Sequence, residues 1–344
     1  MTETSERKLP QLLPWHADAA AQLRKAWAAN RLSHALLLHG AEGLGKQTFA
    51  AWLACAVLCD RSTGSMLQCC GACPSCALFA AGSHPDLLWV TPEEDKQQIS
   101  IDQVRAATER LTKTSYRQGY KVVIVNPAHL MTPSAANSVL KTLEEPSPKT
   151  LLVLITSQPS MLLPTVRSRC QKVTISRPTR EQAMSWLREK SGHAVESALL
   201  EFAGGAPLRA LAYADGRFEA LNEHMQKSLG ALLAGQADVT QVAAEWEKDG
   251  LGERLTWLDL WLTSLARGAL AGNADLITFP GRSAHLPSPS RPLNISGVYS
   301  MVERARALKS QLARTALQRE LAVESWLIAL LDVFGSQSAK SQRA

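Results

Sequence analysis

The fold is decided by the stretch Gly40-Ala41-Glu42-Gly43-Leu44-Gly45-Lys46-Gln47-Thr48, which nearly matches a phosphate-binding P-loop. In a P-loop the glycines let backbone N–H groups surround phosphates, the lysine reaches the β- and γ-phosphates, and a following Ser or Thr binds Mg²⁺. A short apolar run precedes the stretch at residues 34–39, and a longer one follows it at residues 48–58. The pattern therefore predicts a buried strand, a glycine-rich turn and a helix.

Two places lack the groups that a hydrolytic site needs. Gln47 stands where a Ser or Thr would bind Mg²⁺, and Thr48 points roughly 100° further around the helix. The strand expected at residues 121–125 ends in Asn126-Pro127, where acidic residues would hold the metal shell and activate water. A missing general base alone lowers the rate by ~10² to 10⁴, and the charge of the metal is lost as well. We therefore expect no ATP hydrolysis by this chain alone.

The loop itself leaves two interpretations open. It either binds a nucleotide without turnover or serves only as a retained turn between a strand and a helix, so ATP binding is in doubt. The candidate residues of this degenerate nucleotide site are Gly40, Gly45, Lys46, Gln47 and Thr48.

The cysteines form a second pattern, because five of the seven lie between residues 59 and 76. Three of them are spaced as Cys-x-x-Cys-x-x-Cys, with a glycine and a proline between them as turn formers. Four thiolates within one short excursion can close a tetrahedral Zn²⁺ site, which is typical of a structural role. The predicted ligands are Cys59, Cys70, Cys73 and Cys76, with Cys69 as the alternative to Cys70.

The predicted elements are α/β first and all-α afterwards. Apolar strand candidates alternate with helix candidates up to residue 177, which indicates a parallel sheet with helices on both faces. Beyond that point the strand patterns stop, and apolar residues recur at helical spacing. The strand candidates lie at residues 35–39, 87–90, 122–125, 151–156 and 172–175.

This organisation divides the 344 residues into three domains and a tail. The α/β domain covers residues 10–177 and carries the cysteine segment, about 59–76, as an insertion. Residues 178–219 predict a small helical lid domain, and residues 220–335 predict an all-α domain. A Pro- and Ser-rich segment, Pro280–Pro292, predicts an exposed, mobile loop. Residues 336–344 predict a disordered tail.

Composition favours a cytoplasmic protein without a membrane span. The first eight residues are polar and charged, and no apolar run approaches ~18 residues. The net charge of +6 is modest, but residues 101–180 hold twelve Lys and Arg against four Asp and Glu. That excess predicts a surface for nucleic acid or for an acidic partner, or else a solvated basic face.

The motifs together resemble those of bacterial clamp-loader subunits of DNA polymerase III, which belong to the AAA+ superfamily. Within that group the chain is most similar to the delta-prime family. Motor subunits of the gamma/tau type keep a Ser or Thr after the P-loop lysine and an Asp-Glu pair after the second strand, where this chain has Gln47 and Asn126-Pro127. The remaining motifs are Ser83-His84-Pro85-Asp86, Ala136-Asn137-Ser138-Val139-Leu140-Lys141-Thr142-Leu143-Glu144-Glu145-Pro146 and Arg167-Ser168-Arg169-Cys170.

The resemblance implies a catalytically silent AAA+ subunit of a pentameric clamp loader, one component of the polymerase holoenzyme. Arg169 matches the family's arginine finger, which a subunit offers in trans to the nucleotide of its neighbour. Thr156 and Arg209 occupy the positions of the two phosphate sensors. The implied partners are the gamma/tau motor subunits and the delta subunit, with the sliding clamp and primed DNA reached through the complex. The all-α domain would join the collar that holds the ring together.

Two other functions stay open at this point. The first is an active ATPase motor, which would need Thr48 and an unrecognised acid to replace the missing groups. The second is a zinc-dependent DNA-binding module that uses the basic residues of segment 101–180.

Overall fold

The computed structural model describes residues 9–62, 66–94, 96–192, 195–248, 250–272, 279, 294–312 and 319–335. The chain divides into two units, Met1–Ala183 and Met184–Ala344, and each is described by itself. The loop expected at Pro280–Pro292 and the tail expected at 336–344 lie outside the described residues. Of the helices that the structure describes, none combines the length and the apolar character needed to cross a membrane.

The first unit is built on a five-stranded sheet with the spatial order β2-β3-β4-β1-β5. All four strand pairs are parallel, so the carboxyl ends of the strands meet at one edge and the amino ends at the other. The strands are near-continuous apolar runs, as expected when helices cover a parallel sheet. Every strand expected from the sequence is present. The strands are β1 Ala35–His39, β2 Leu87–Val90, β3 Lys121–Val125, β4 Thr150–Thr156 and β5 Gln171–Thr174.

Helices connect these strands, and several begin at a local signal in the sequence. Proline occupies the first turn of α3, α5 and α6, where its missing N–H group is not needed. At the start of α4, the Ser100 Oγ accepts a hydrogen bond from the Gln103 N–H at 3.3 Å, and Ser100 N–H donates to Gln103 Oε1 at 3.0 Å. The helices are α1 Ala17–Ala28, α2 Lys46–Leu58, α3 Pro74–Ala80, α4 Ile101–Thr112, α5 Pro133–Glu144, α6 Pro164–Arg169 and α7 Arg180–Ser191, which crosses the division between the units.

The core of the first unit follows the alternation of the strands. One set of alternate residues of β1, β3 and β4, exemplified by Leu37, Val123 and Leu154, packs with α4, α5 and α6 in a single buried cluster. The other set, such as Leu36 and Leu38, is equally buried, and α2 contacts the same three strands. The central strands therefore bury both of their side-chain faces.

The second unit is helical throughout the residues that the structure describes. Its largest fully buried side chains are aromatic and include Trp246, Trp257 and Trp261. The all-α character expected from the sequence is confirmed for the described residues of this unit. The helices are α8 Ser197–Phe202, α9 Pro207–Leu211, α10 Arg217–Leu233, α11 Val239–Lys248, α12 Leu251–Ala271, α13 Ile295–Leu312 and α14 Arg319–Gly335.

The three-domain division stays a prediction. Helix α10 runs through the expected boundary at residues 219–220, because Arg217–Leu233 is one continuous helix. A separate lid domain would therefore have to share that helix with the all-α domain.

We expect Leu37→Ala to lower the free energy of unfolding of the first unit by about 2 to 5 kcal/mol, because it opens a cavity in the sheet core. Leu37 is buried in the middle of β1, between β4 and β5. Urea unfolding followed by circular dichroism measures the change. Tyr116→Ala is the matched control, since Tyr116 is 82% exposed, and its effect should stay within about 0.5 kcal/mol. Equal effects of the two substitutions would contradict this packing.

Candidate functional site

The P-loop-like turn lies at the carboxyl edge of the sheet, directly after β1. Gly40 has φ +155°, and a Cβ there would lie 2.4 Å from the Ile175 carbonyl oxygen, so only glycine fits this approach to the chain after β5. Gly45 has φ 76° and ψ 29°, the left-handed conformation that glycine adopts without steric cost, and α2 begins at the next residue. The strand–turn–helix unit expected from the sequence is therefore present in its local geometry.

Lys46 is turned back onto its own loop. Its Nζ donates hydrogen bonds to the carbonyl oxygens of Gly40 at 2.9 Å and Ala41 at 2.7 Å. The residue is only 9% exposed, and burial lowers the pKa of Lys46 while the nearby Glu42 carboxylate opposes that shift. Two of the three ammonium donors are thus satisfied inside the loop. A phosphate would have to compete with these carbonyl groups for the lysine.

The groups around the loop are mostly neutral. Gln47 is exposed and carries no hydroxyl, and Thr48 is half-buried on the first turn of α2. Thr156 is fully buried at the end of β4, beside His39 of β1. Its hydroxyl accepts a hydrogen bond from the Gln158 N–H at 3.0 Å and shares another of 3.0 Å with His129 Nδ1. The hydroxyl of Thr156, the first sensor candidate, is therefore hydrogen-bonded within its own chain.

His129 is a site residue that sequence reasoning missed. It lies just after β3, beyond Asn126-Pro127 where acidic residues were sought, and burial lowers the pKa of its imidazole. The carboxylate of Glu42 also reaches this edge, where its Oε1 accepts a hydrogen bond from the Ser157 hydroxyl at 3.3 Å. The signal for His129 was its position, four residues after the end of the second nucleotide strand.

The second sensor candidate, Arg209, belongs to the other unit. It lies on α9 and is half-buried, and its hydrogen bond to the Tyr213 hydroxyl works against the rise in the pKa of that phenol. The Tyr213 hydroxyl in turn donates to Glu253 Oε1 at 2.5 Å. Arg209 therefore interacts with Tyr213, in the turn that follows its own helix.

Arg169 lies at the amino edge of the sheet. It is the last residue of α6, and β5 begins two residues later at Gln171. The loop around Lys46 follows the carboxyl end of β1, and β1 and β5 are parallel neighbours. The four residues of β5 span roughly 13 Å, so Arg169 is separated from the loop of its own chain by the length of the strand.

The cysteine cluster assembles four of the five clustered thiols. The Sγ atoms of Cys59, Cys70, Cys73 and Cys76 all lie within 4.8 Å of one another. Cys59 Sγ and Cys73 Sγ are 3.8 Å apart, which equals the separation of about 3.8 Å expected for two sulfurs at ~2.3 Å from a tetrahedral zinc ion. The four residues fit a Zn²⁺ ion, because four sulfurs complete its tetrahedral coordination and leave no position for a water ligand.

Backbone contacts support the thiolate form that a metal requires. The Cys70 N–H donates to Cys59 Sγ and the Cys76 N–H donates to Cys73 Sγ, each at 3.4 Å. A hydrogen bond from the Ala72 backbone lowers the pKa of Cys70 to about 6, whereas burial raises the pKa of Cys76 to about 12. A bound cation would displace the remaining protons, because the metal binds thiolate rather than thiol.

Cys69 faces away from this group. Its Sγ lies 3.9 Å from the Trp52 carbonyl oxygen, and it hydrogen-bonds with the buried Cys55 thiol. The structure thus separates the two alternatives for the fourth ligand, and Cys70 is the one that joins the cluster.

The Ser-His-Pro-Asp motif joins the cysteine segment to the sheet. The Asp86 carboxylate accepts hydrogen bonds from the backbone N–H groups of Tyr116 at 2.8 Å and Arg117 at 3.0 Å. The Arg117 guanidinium in turn pairs with Asp60 at 3.0 Å, next to the first cysteine of the cluster. Ser75 Oγ donates to the same Asp60 carboxylate at 2.7 Å. These contacts fix the cysteine segment to the loop before β3.

The fold and the loop define a class: a parallel α/β domain with a P-loop-like turn, followed by a helical region. The family model described as "DNA polymerase III, delta subunit" matches residues 15–179. A second model, described as "DNA polymerase III, delta subunit, C terminal", matches residues 216–332. The two matches cover the sheet-containing unit and most of the helical one.

Relatives at the level of whole proteins agree. The DNA polymerase III subunit delta' of Escherichia coli strain K12 is 31% identical over 318 residues, covering 92% of this chain and 94% of that protein. The subunit delta' of Pseudomonas aeruginosa is 34% identical over 271 residues, covering 78% and 81%. That of Yersinia pestis is 32% identical over 285 residues, covering 79% and 83%. The chain belongs to the DNA polymerase III subunit delta' family, and the resemblance stated from the sequence is confirmed.

For the cysteine cluster we expect about one Zn²⁺ per chain in the purified protein, and the same stoichiometry in Cys69→Ser. Cys70→Ser should lose the metal or bind it far more weakly, because only three sulfurs remain. Elemental analysis after dialysis against a mild chelator measures the ratio. Loss of metal in Cys69→Ser with retention in Cys70→Ser would show that the ligand set is wrong.

Proposed function

We propose that this clamp-loader subunit is catalytically silent and presents Arg169 in trans to a nucleotide held by a neighbouring motor subunit. The observation that carries the proposal is the placement of Arg169 and the degenerate loop at opposite edges of one sheet. An arginine so placed is out of reach of its own loop, and its side chain is 38% exposed. It is therefore available to a second molecule.

Three features support catalytic silence. Lys46 is satisfied by the carbonyl groups of its own loop, Gln47 carries no metal-binding hydroxyl, and Asn126-Pro127 carry no carboxylate. Metal-assisted phosphoryl transfer needs a cation to neutralise charge and a group to orient the attacking water. The loop region supplies a histidine and a buried threonine instead.

An arginine offered to a neighbouring nucleotide site has a large effect on the rate of hydrolysis there. A guanidinium placed against the transferring phosphoryl group stabilises charge in the transition state and raises the rate by ~10³ to 10⁵. A subunit that lacks its own hydrolytic groups but keeps such an arginine would accelerate ATP hydrolysis at the neighbouring site without hydrolysing ATP itself. Such a subunit would act as a rigid, static member of the ring.

The family membership supports the proposed partners. These are the gamma/tau motor subunits, one of which would receive Arg169, and the delta subunit, with the sliding clamp and primed DNA engaged through the complex. The helical second unit is proposed as the part that assembles with the other subunits. The seven cysteines are all free thiols, which is consistent with the reducing cytoplasm that we propose as its location. The zinc ion would stabilise the cysteine segment beside the sheet.

We expect the purified chain alone to hydrolyse Mg-ATP no faster than its Lys46→Ala variant, since the groups that bind metal and activate water are absent. Steady-state phosphate release measures the rate. Turnover that disappears in Lys46→Ala would mean that the chain is a motor. The double variant Gln47→Thr with Asn126→Asp restores a metal-binding hydroxyl and an acid. A gain of turnover in this variant would show that the loss of these two groups is what prevents hydrolysis.

In a reconstituted clamp loader, Arg169→Ala should slow hydrolysis by ~10³ or more at the one nucleotide site that Arg169 completes. The total steady-state rate of ATP hydrolysis should fall by the contribution of that site. The amount of assembled complex, measured by size-exclusion chromatography, should not change, since the side chain is exposed. Arg105→Ala is the control for the loss of one exposed positive charge, because Arg105 is exposed on α4 and has no ion pair with any residue that the structure describes. Equal hydrolysis by wild type and Arg169→Ala would refute the proposed role.

A further inference from the structure

The Arg169 guanidinium does not extend freely from the surface. Its Nη2 forms an ion pair with Glu144 Oε1 at 2.6 Å, and its Nη1 donates to the Thr165 carbonyl oxygen at 3.2 Å. Arginine has five N–H donors in a planar fork, so the other donors stay available. One side of the guanidinium is thus held by its own chain while the rest remains at the surface.

The carboxylate of Glu144 lies at the end of a helix that disfavours negative charge. Glu144 is the last residue of α5, where the helix dipole is negative and a cation is favoured instead. Lys141 lies in the same last turn, but among the described residues the ion pair of Glu144 is with Arg169. Arg169 therefore offsets an unfavourable position, which gives the pair a specific structural reason.

Both partners stand on fixed supports. Leu143 is buried, and its carbonyl oxygen accepts a hydrogen bond from His34 Nε2 at 3.0 Å, which ties the end of α5 to the start of β1. Val166 of α6 and Cys170, the residue that follows the helix, are buried on either side of Arg169. The backbone positions of both charged residues are therefore set by the core, and only their side chains are free to move.

We infer that Glu144 is a positioning residue that holds Arg169 in one orientation at the surface before a neighbour's nucleotide arrives. A long arginine side chain loses rotamer freedom when it binds, and a side chain already held in place loses less at that moment. A phosphoryl group carries more negative charge than one carboxylate and can engage the unused donors of the fork. This inference rests on the proposed function of Arg169.

The experiment uses a clamp loader reconstituted with the full chain. The quantity measured is the Arg169-dependent share of ATP hydrolysis, defined as the rate of the wild-type complex minus that of the Arg169→Ala complex. We expect Glu144→Ala to lower this share about 1.5- to fivefold at saturating ATP, which is the range for loss of a surface ion pair. Glu144→Gln should fall between, because its amide oxygen still accepts a hydrogen bond.

Glu145→Ala is the matched control. Glu145 is exposed and adjacent to Glu144, and it has no ion pair with any residue in the described part of the chain. Its replacement by alanine changes the net charge by the same amount as Glu144→Ala. It should leave the Arg169-dependent share unchanged. In the Arg169→Ala background, Glu144→Ala should have no further effect, because a positioning residue acts only through the residue that it positions.

The outcomes separate the two proposals. If Arg169→Ala itself leaves hydrolysis unchanged, the proposed function fails. If Arg169→Ala lowers hydrolysis but Glu144→Ala does not, or lowers it equally with and without Arg169, the positioning role of Glu144 is wrong while the arginine finger stands. A Glu144→Ala complex that assembles less well than the Glu145→Ala complex would assign Glu144 to assembly and overturn the inference.

Discussion

Parallel strand pairing is the constraint on which the rest of the first unit depends. Because β1 pairs in parallel with both β4 and β5, every connection must return across a face of the sheet, and the helices cover both faces. The same pairing sorts the loops into two groups. Those that follow strands, including the glycine-rich turn, meet at the carboxyl edge, and those that precede strands, including the one that carries Arg169, meet at the amino edge.

This sorting is consistent with the two halves of the proposed function, the absence of hydrolysis at the loop of this chain and the action of Arg169 on another molecule. At the carboxyl edge the loop is closed by Lys46 on its own carbonyl groups, and the nearby Thr156 and His129 satisfy each other. Nothing in that arrangement requires a phosphate for its hydrogen bonds. At the amino edge the charge of Arg169 is held at the surface between two helix ends whose backbones are fixed by the core.

The cysteine cluster adds a second anchor beside the sheet. Its four sulfurs surround a space that matches a tetrahedral ion, and Asp60 connects the segment through Arg117 to the turn that Asp86 organises before β3. A segment of this length has few apolar residues with which to build a core of its own. These hydrogen bonds hold the segment beside the sheet, and a metal ion bound by the four sulfurs would stabilise it further.

The order of the strands along the chain, the glycine-rich turn, the missing hydroxyl and acid, and the four candidate sulfur ligands could be predicted from the sequence, because each is a local pattern of residue types and spacings. The sequence could not place Lys46 on its own carbonyl groups, bring His129 to Thr156, separate Cys69 from Cys70, or pair Glu144 with Arg169. Those outcomes depend on which segments the sheet brings together, and on the burial that decides which polar groups must find partners inside the chain. Only the tertiary structure fixes both.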